Sequence, residues 1–160
     1  MKKFIFVAAF VFSLVSCEEE VRDNSPAFEA TIGYTKWKAD SWSAVVENET
    51  LTIIGRDLTN QIKITIPNYQ LGQNYDLGVN NTEFVEYLIV NDDESITAYK
   101  TGANIGGGYV RFESAEFSEP NTITGRFMAE VKTSTGESQT LHEGVFYRIP
   151  LTQPQVEVVE

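Results

Sequence analysis

Apolar and polar residues alternate along most of the chain from residue 27 onward. The longest run covers residues 123–131, where apolar or small side chains occupy every second position. Shorter runs with the same period cover residues 28–32, 62–66 and 110–112. Successive side chains of a β-strand point to opposite faces of a sheet. A period of two therefore predicts strands that bury one face and expose the other.

Two further segments extend this pattern. Late in the chain, Val145, Tyr147, Ile149 and Leu151 are predicted to share one face of a strand. Residues 82–89 fit a helical stripe and a strand face almost equally well, and we predict a strand there. With these two segments, strands account for most of the chain after residue 27.

Clusters of turn-forming residues separate the predicted strands. They fall at residues 48–49, 57–60, 80–81, 91–94, 106–108, 119–121 and 134–137. A spacing of about 8 to 15 residues between turns is typical of antiparallel hairpins in an all-β protein. We therefore predict an all-β fold, either an antiparallel β-sandwich or a partly closed barrel of about 8–10 strands. A single β-rich domain over residues 27–160 fits the chain length.

The first residues have the order of a secretory signal peptide. Lys2 and Lys3 precede an apolar run over residues 4–15. The end of this run overlaps the sequence Leu-Val-Ser-Cys, whose last residue is Cys17. A membrane-spanning helix needs about 20 apolar residues, and this run is shorter and is followed by three glutamates. We predict a lipoprotein signal peptide over residues 1–16 that is removed by cleavage before Cys17.

The Leu-Val-Ser-Cys sequence resembles the lipobox of bacterial lipoproteins, in which a diacylglycerol is linked to the cysteine. Cys17 is the single cysteine of the chain, so it cannot close an intrachain disulfide. Two or more acyl chains are enough for stable membrane anchoring. We therefore expect Cys17 to be lipidated and to hold the protein on a membrane.

The residues that follow Cys17 are mostly polar and acidic, so residues 17–26 are predicted to form a flexible tether. About nine such residues would span roughly 15 to 18 Å, which keeps the domain close to the membrane. The acidic run directly after the cysteine resembles the export signal of some Bacteroidota lipoproteins. It indicates the outer membrane, with the domain on the cell surface. The periplasmic face is the alternative location.

Acidic residues dominate the charge of the chain, which has 12 Lys and Arg against 23 Asp and Glu. Removal of residues 1–16 takes away two lysines and no acid. The mature chain then carries 10 positive and 23 negative charges, a formal charge of −13. Nucleic acids are bound through clustered Lys and Arg. This composition therefore argues against a nucleic-acid partner, and it favours solubility.

Several short motifs, taken in order, resemble an uncharacterised family of Bacteroidota lipoproteins with a small all-β domain after a lipobox. The motifs are Phe28-x-Ala30-x-Ile32-Gly33, Trp37-x-Ala39, Gly72-x-x-Tyr75-Asp76-Leu77-Gly78, Gly107-Gly108-x-Val110-x-Phe112, Ile123-x-Gly125-x-Phe127 and Gly144-x-Phe146. Two positions depart from the family's pattern. Ile32 stands where Asp or Asn is usual before Gly33, and the spacing from Gly72 to Tyr75 is one residue longer than usual. The resemblance implies a location and a fold class. It implies no catalytic residues.

Aromatic residues supply the candidates for ligand binding, because flat rings stack on sugar faces and bury a large area. We select Trp42, Tyr34, Tyr75 and Tyr99 as the candidate ligand-binding residues. Trp37 lies between two lysines in an alternating segment, so it is predicted to face the core. The alternative for the whole set is that these rings simply fill the interior of a small β domain.

Oxygen ligands are concentrated in the loop Asn91-Asp92-Asp93-Glu94. Ca²⁺ takes six to eight hard oxygen ligands, so Asp92, Asp93 and Glu94 are candidate calcium ligands. The loop lacks the spaced pattern of a dedicated calcium loop, and solvated acids at a hairpin tip are the alternative. His142 is the single histidine, which is too few for a multi-histidine zinc site, and it is predicted to face solvent.

These observations lead to three functional hypotheses. The first is a membrane-anchored, non-enzymatic binding or scaffold domain for a glycan, peptide or protein ligand. The second is a glycoside hydrolase, which would use two carboxylates held about 5 to 10 Å apart. The third is a structural accessory of an outer-membrane assembly. We expect no enzymatic activity and no bound cofactor, because the sequence assembles no recognisable catalytic motif.

Overall fold

A computed structural model describes residue 25 and residues 27–152, and it folds them into one sheet of eleven strands. In chain order the strands are β1 (Ala27–Ile32), β2 (Thr35–Lys38), β3 (Ser41–Glu47), β4 (Thr50–Arg56), β5 (Asn60–Pro67), β6 (Asn74–Leu77), β7 (Phe84–Val90), β8 (Ile96–Lys100), β9 (Gly107–Phe112), β10 (Thr122–Lys132) and β11 (Ser138–Thr152). The predicted all-β class is confirmed, with one strand more than the predicted range. Within these residues no helix has the length and apolar character that a membrane crossing requires.

Hydrogen bonding joins the strands in the order β2-β1-β11-β3-β4-β5-β7-β8-β10-β9-β6, and β11 also pairs with β10. The neighbours β11, β3, β4, β5, β7, β8 and β10 therefore form a closed circuit. The circuit is narrowest at a seam between β8 and β10, which pair only through Lys100 and Lys132. The junction of β11 with β3 is also short, with two residue pairs. All pairs are antiparallel except β11 with β3, which is parallel. This arrangement is compatible with the predicted sandwich or partly closed barrel.

Four phenylalanines form the centre of the core, and all of them are at most 1% exposed. The ring centroid of Phe28 lies 5.6 Å from that of Phe127, and Phe112 lies 5.7 Å from Phe146. Aromatic pairs at this distance contribute about 0.5–1.5 kcal/mol each beyond their buried area. Isoleucines, leucines and valines from β4, β5, β7, β10 and β11 surround them. The alternation predicted over residues 123–131 is confirmed, since every second residue of that run is buried.

Two of these phenylalanines lie over glycines of the neighbouring strand. Gly125 of β10 pairs with Phe146 of β11, and Gly144 of β11 pairs with Phe127 of β10. A Cβ atom at Gly125 would lie 2.4 Å from the Phe146 ring, and one at Gly144 would lie 2.5 Å from the Phe127 ring. Both glycines thus provide space for a ring. This packing accounts for two of the Gly-x-Phe motifs in the sequence.

The prediction that residues 145, 147, 149 and 151 share one face of β11 is wrong. Phe146 and Ile149 are buried, whereas Tyr147 and Arg148 between them are only half-buried. The register with β10 shifts at this point, and Arg148 has a φ of 49°. A β-bulge inserts one extra residue and reverses the face on which later residues lie. The period of two is therefore interrupted inside the strand.

Two other sequence predictions are confirmed by the structure. The ambiguous segment is strand β7, and its residues Val85 and Tyr87 are buried. Trp37 faces the core, where its side chain is 8% exposed and its ring packs edge-on against Phe28. In both segments the alternation of apolar and polar residues was the correct guide.

Candidate ligand-binding face

Strands β6, β9 and β10 are hydrogen-bonded side by side, and one face of this group is turned away from the core. Their outward side chains line an open cleft of about 480 Å³. We call this surface the arginine face; it consists of Asn74, Asp76, Gly108, Tyr109, Arg111, Arg126 and Met128. The inward residues of the same strands, such as Val110 and Phe112, belong to the core. The core thus fixes the position of the outward side chains.

Two arginines lie directly opposite each other on this face. Arg126 of β10 pairs with Arg111 of β9, which pairs in turn with Asn74 of β6. The Cβ atoms of such pairs are about 4.5–5.5 Å apart, and like charges at this spacing are destabilising. Both arginines are exposed, and the four ion pairs found within the described part of the chain use other cations. Both guanidinium groups are therefore available to a ligand.

The neighbouring row of side chains adds an aromatic ring to the face. Tyr109 lies between Met128 of β10 and Asp76 of β6, and it is 38% exposed. The Asp76 carboxylate accepts a hydrogen bond from the Asn74 side-chain amide at 3.0 Å. A tyrosine in this position offers an apolar ring surface together with a hydroxyl group.

Neither arginine forms an ion pair with a carboxylate beyond the cleft, among the residues that the structure describes. Continuing the row from Arg126 leads to Val145 of β11 and then to Glu29 of β1. Glu29 is engaged by Lys38, whose ammonium nitrogen lies 3.2 Å from the carboxylate. Asp76 is the one acid that lines the cleft itself. The lining of the arginine face therefore carries two positive charges and one negative charge, on a protein that is acidic in total.

Gly108 forms part of the floor of the cleft. Its φ of +129° is unfavourable for residues with a side chain, and a Cβ atom there would lie 2.0 Å from the Met128 carbonyl oxygen. Only glycine allows β9 to approach β10 so closely at this point. The Gly107-Gly108 pair noted in the sequence thus has a structural role beside the site.

The four aromatic residues selected from the sequence are placed in different environments. Tyr34 lies in the turn between β1 and β2 and is fully exposed, at 105%. Trp42, Tyr75 and Tyr99 are half-buried and pack against the core. Tyr75 packs against Phe112, with ring centroids 5.7 Å apart. Among the described residues, no ring contact joins any two of these four aromatic side chains.

Sequence reasoning missed the arginine face, although part of its signal was present. Tyr109 and Arg111 occupy the outward positions between the inward residues of β9, so alternation alone predicts their exposure. The pairing of Arg111 with Arg126 depends on the register of β9 against β10. That register cannot be read from a period of two.

The acidic loop lies at the tip of the β7–β8 hairpin, beside a second open cleft of about 620 Å³. Asp93 accepts hydrogen bonds from the backbone and side chain of Ser95 at 3.0 and 2.5 Å. These bonds lower the pKa of Asp93 below its ordinary value. Asp92 and Glu94 are exposed. Across residue 25 and residues 27–152, no group of three or more His, Cys, Asp or Glu is arranged to hold a metal ion.

The sequence also singled out the one histidine and the one cysteine of the chain. His142 lies in β11 and is half-buried rather than solvent-facing. Its Nε2 atom lies 2.8 Å from the carbonyl oxygen of Gly33, which ties it to the β1–β2 turn. Cys17, the predicted lipidation site, lies outside the described residues.

A polar network connects β2, the β4–β5 turn and β7. The Trp37 indole N–H donates to Asp57 at 2.6 Å, and Asp57 also accepts the backbone N–H groups of Thr59 and Asn60 at 2.8 and 2.6 Å. The Tyr87 hydroxyl donates to the Asn60 side chain at 2.7 Å. Burial opposes ionisation of Asp57, but these hydrogen bonds outweigh it and lower its pKa. The network holds a buried ring and a turn in place.

The described residues define a small all-β domain whose sheet carries an open face with two opposed arginines. Residues 24–150 match the family described as a domain of unknown function, DUF6252, and the chain belongs to that family. Neither a curated protein nor a solved structure matches the chain. The resemblance to Bacteroidota lipoproteins stays a prediction.

Proposed function

We propose that this chain is a membrane-anchored lipoprotein that displays a non-enzymatic binding domain, with the arginine face as its binding surface. The observation that carries the proposal is the pair Arg111 and Arg126. The two like charges lie directly opposite each other, and no ion pair among the described residues offsets them. Such a pair lowers the stability of the free sheet. A bound ligand that pairs with both arginines would offset this loss of stability.

The proposed anchor is supported by the lipobox-like sequence that ends at Cys17. A lipid on Cys17 and the acidic tether after it would hold the domain near the outer membrane, on the cell surface. The membrane is then one partner, and the ligand of the arginine face is the other. The negative net charge of the chain directs this assignment away from nucleic acid.

The binding surface can be tested by photocrosslinking on intact cells. A benzoylphenylalanine residue replaces Met128, the half-buried residue at the side of the cleft. A matched control carries the same photoreactive residue in place of Thr52, a half-buried outward residue of β4. We expect ultraviolet light to produce adducts at position 128 and not at position 52. Arg111→Gln should reduce the adducts at position 128. Equal labelling at both positions, or none at either, would refute the assignment of the face.

The anchor is tested separately by labelling cells with radioactive palmitate. The full chain should incorporate label, and Cys17→Ala should not. Unchanged labelling of Cys17→Ala would refute the lipid anchor while leaving the binding surface standing. Protease treatment of intact cells tests the location, because a domain on the cell surface should be degraded and a periplasmic one protected.

A further inference from the structure

We infer that the arginine face binds a short anionic saccharide, with an acidic group of the sugar held between Arg111 and Arg126. This inference rests on the proposed function, because it names the ligand class for the same surface. It is carried by three features of the face, namely its paired cations, its exposed ring and its setting on an acidic protein.

The paired cations define the acidic group. A guanidinium presents a planar set of N–H donors that matches the two oxygens of a carboxylate or sulfate. Arg111 and Arg126 stand on neighbouring strands in the same register. An anion between them can therefore contact both, and it also removes their mutual repulsion. Asn74 extends the same row and supplies an amide at its end.

The exposed ring indicates that the anion belongs to a sugar. Tyr109 is two residues from Arg111 along β9, a separation of about 6.6 Å along the strand. A single pyranose ring can therefore lie against the tyrosine while its acidic substituent reaches the arginines. Asp76 and Asn74 lie beside the ring and offer a carboxylate and an amide to sugar hydroxyl groups. A free inorganic anion would leave Tyr109 without a role.

The acidic setting limits the length of the ligand. The chain has 23 acidic residues against 12 basic ones, and the positive charge in the lining of the arginine face comes from its two arginines alone. A long polyanion would bring most of its charges near acidic surface and be repelled. The ligand should therefore be a short acidic oligosaccharide, or one acidic residue at the end of a largely neutral chain. The cleft of about 480 Å³ is within the size range of small-ligand sites.

Calorimetric titration of the mature protein, purified in detergent, tests the ligand class. The probes are trigalacturonate, which carries carboxylates, a sulfated disaccharide from heparin, and neutral maltotriose. We expect one or both anionic sugars to bind and maltotriose to bind at least tenfold more weakly. Binding of the sulfated sugar alone would assign sulfate as the acidic group. Failure of both anionic sugars to bind, or equal binding of maltotriose, would overturn the inference.

Three arginine variants locate the site. Arg111→Gln and Arg126→Gln should each weaken binding at least tenfold. Arg56→Gln is the matched control, because Arg56 is also exposed but lies at the end of β4, and it should change the affinity less than twofold. An equal loss in all three variants, or no loss in any, would place the sugar elsewhere and overturn the inference.

Thermal unfolding distinguishes a binding role from a structural one. Without ligand, Arg126→Gln should unfold at the same or a higher temperature than the natural protein, because it relieves the like-charge pair. A lower unfolding temperature together with lost binding would make the arginine structural and overturn the inference. Crosslinking at position 128 in cells, combined with no binding of either anionic sugar, would overturn this inference alone. Loss of both results would overturn the proposed function as well.

Discussion

At the scale of single residues, the core depends on space left by glycine. Gly125 and Gly144 each lie under a phenylalanine of the neighbouring strand, and the two pairs are reciprocal. The sequence showed glycines beside aromatic residues but could not show that the contact runs between strands. Only the register of β10 against β11 brings each ring over its glycine.

Replacing Gly125 with alanine should destabilise the fold by about 1–3 kcal/mol, the usual cost of overpacking a core. The new methyl group would meet the Phe146 ring and the Arg111 carbonyl oxygen, each at 2.4 Å. Urea unfolding followed by fluorescence measures the change. Gly107→Ala is the control, since its Cβ atom would find its nearest neighbour at 3.9 Å. Equal stability of the two variants would contradict the packing argument.

Tyr87 should ionise at an unusually high pH. Burial and the charge of Asp57 raise its pKa from 10.0 to about 12. Because the folded pKa lies above the unfolded one, the contribution of neutral Tyr87 to stability is complete below pH 10 and is lost between about pH 10 and 12. Absorbance near 295 nm follows tyrosine ionisation. Tyr87→Phe should remove the component that titrates at the highest pH, and an unchanged titration curve would contradict the assignment.

At the scale of elements, alternation predicted where strands lie but not how they pair. It identified the inward residues of β7 and β10 correctly. It failed within β11, because a bulge is a single inserted residue that leaves no mark on hydrophobicity. It also missed the outward pairing of Arg111 with Arg126. These two residues are 15 positions apart in the chain, and they become neighbours only through the register of β9 against β10. The candidate face was therefore beyond prediction from one sequence.

The β3–β4 turn carries removable backbone strain. Asn48 and Glu49 have φ values of 48° and 62°, the left-handed region that favours glycine. Glycine removes left-handed strain of about 1–2 kcal/mol and adds an entropy cost of about 0.5–1 kcal/mol. Glu49→Gly should therefore stabilise the domain by about 0.5–1 kcal/mol and raise its unfolding temperature by about 2–4 °C. Scanning calorimetry measures the change. Asp40→Gly, in the β2–β3 connection where φ is not positive, should give no gain. A similar gain in both variants would point away from strain relief.

At the scale of the whole molecule, the sheet closes on itself but leaves a narrow seam. β8 forms five residue pairs with β7 and one with β10. β5 is paired along both of its edges, with β4 and with β7. The number of partners on each edge sets how easily a strand opens locally. The seam is thus the place where the circuit of strands is weakest.

Hydrogen exchange should reveal this seam. The backbone amides of β8 are expected to exchange faster than those of β5, which lies in the same sheet but is bonded on both sides. Mass spectrometry of peptides covering residues 96–100 and 60–67 measures the difference. Equal protection of the two strands would show that the seam opens no more readily than the rest of the sheet.

The position of β1 has a mechanical consequence. β1 is bonded on both edges, to β2 and to β11, and it is where the chain enters the described domain. A pull on the backbone at Ala27 acts along the strand, whereas its hydrogen bonds run perpendicular to the strand. The bonds to both neighbours then share the load and must break together rather than one after another. A domain tethered through this strand would resist tension while a ligand fixed to another surface pulls against it.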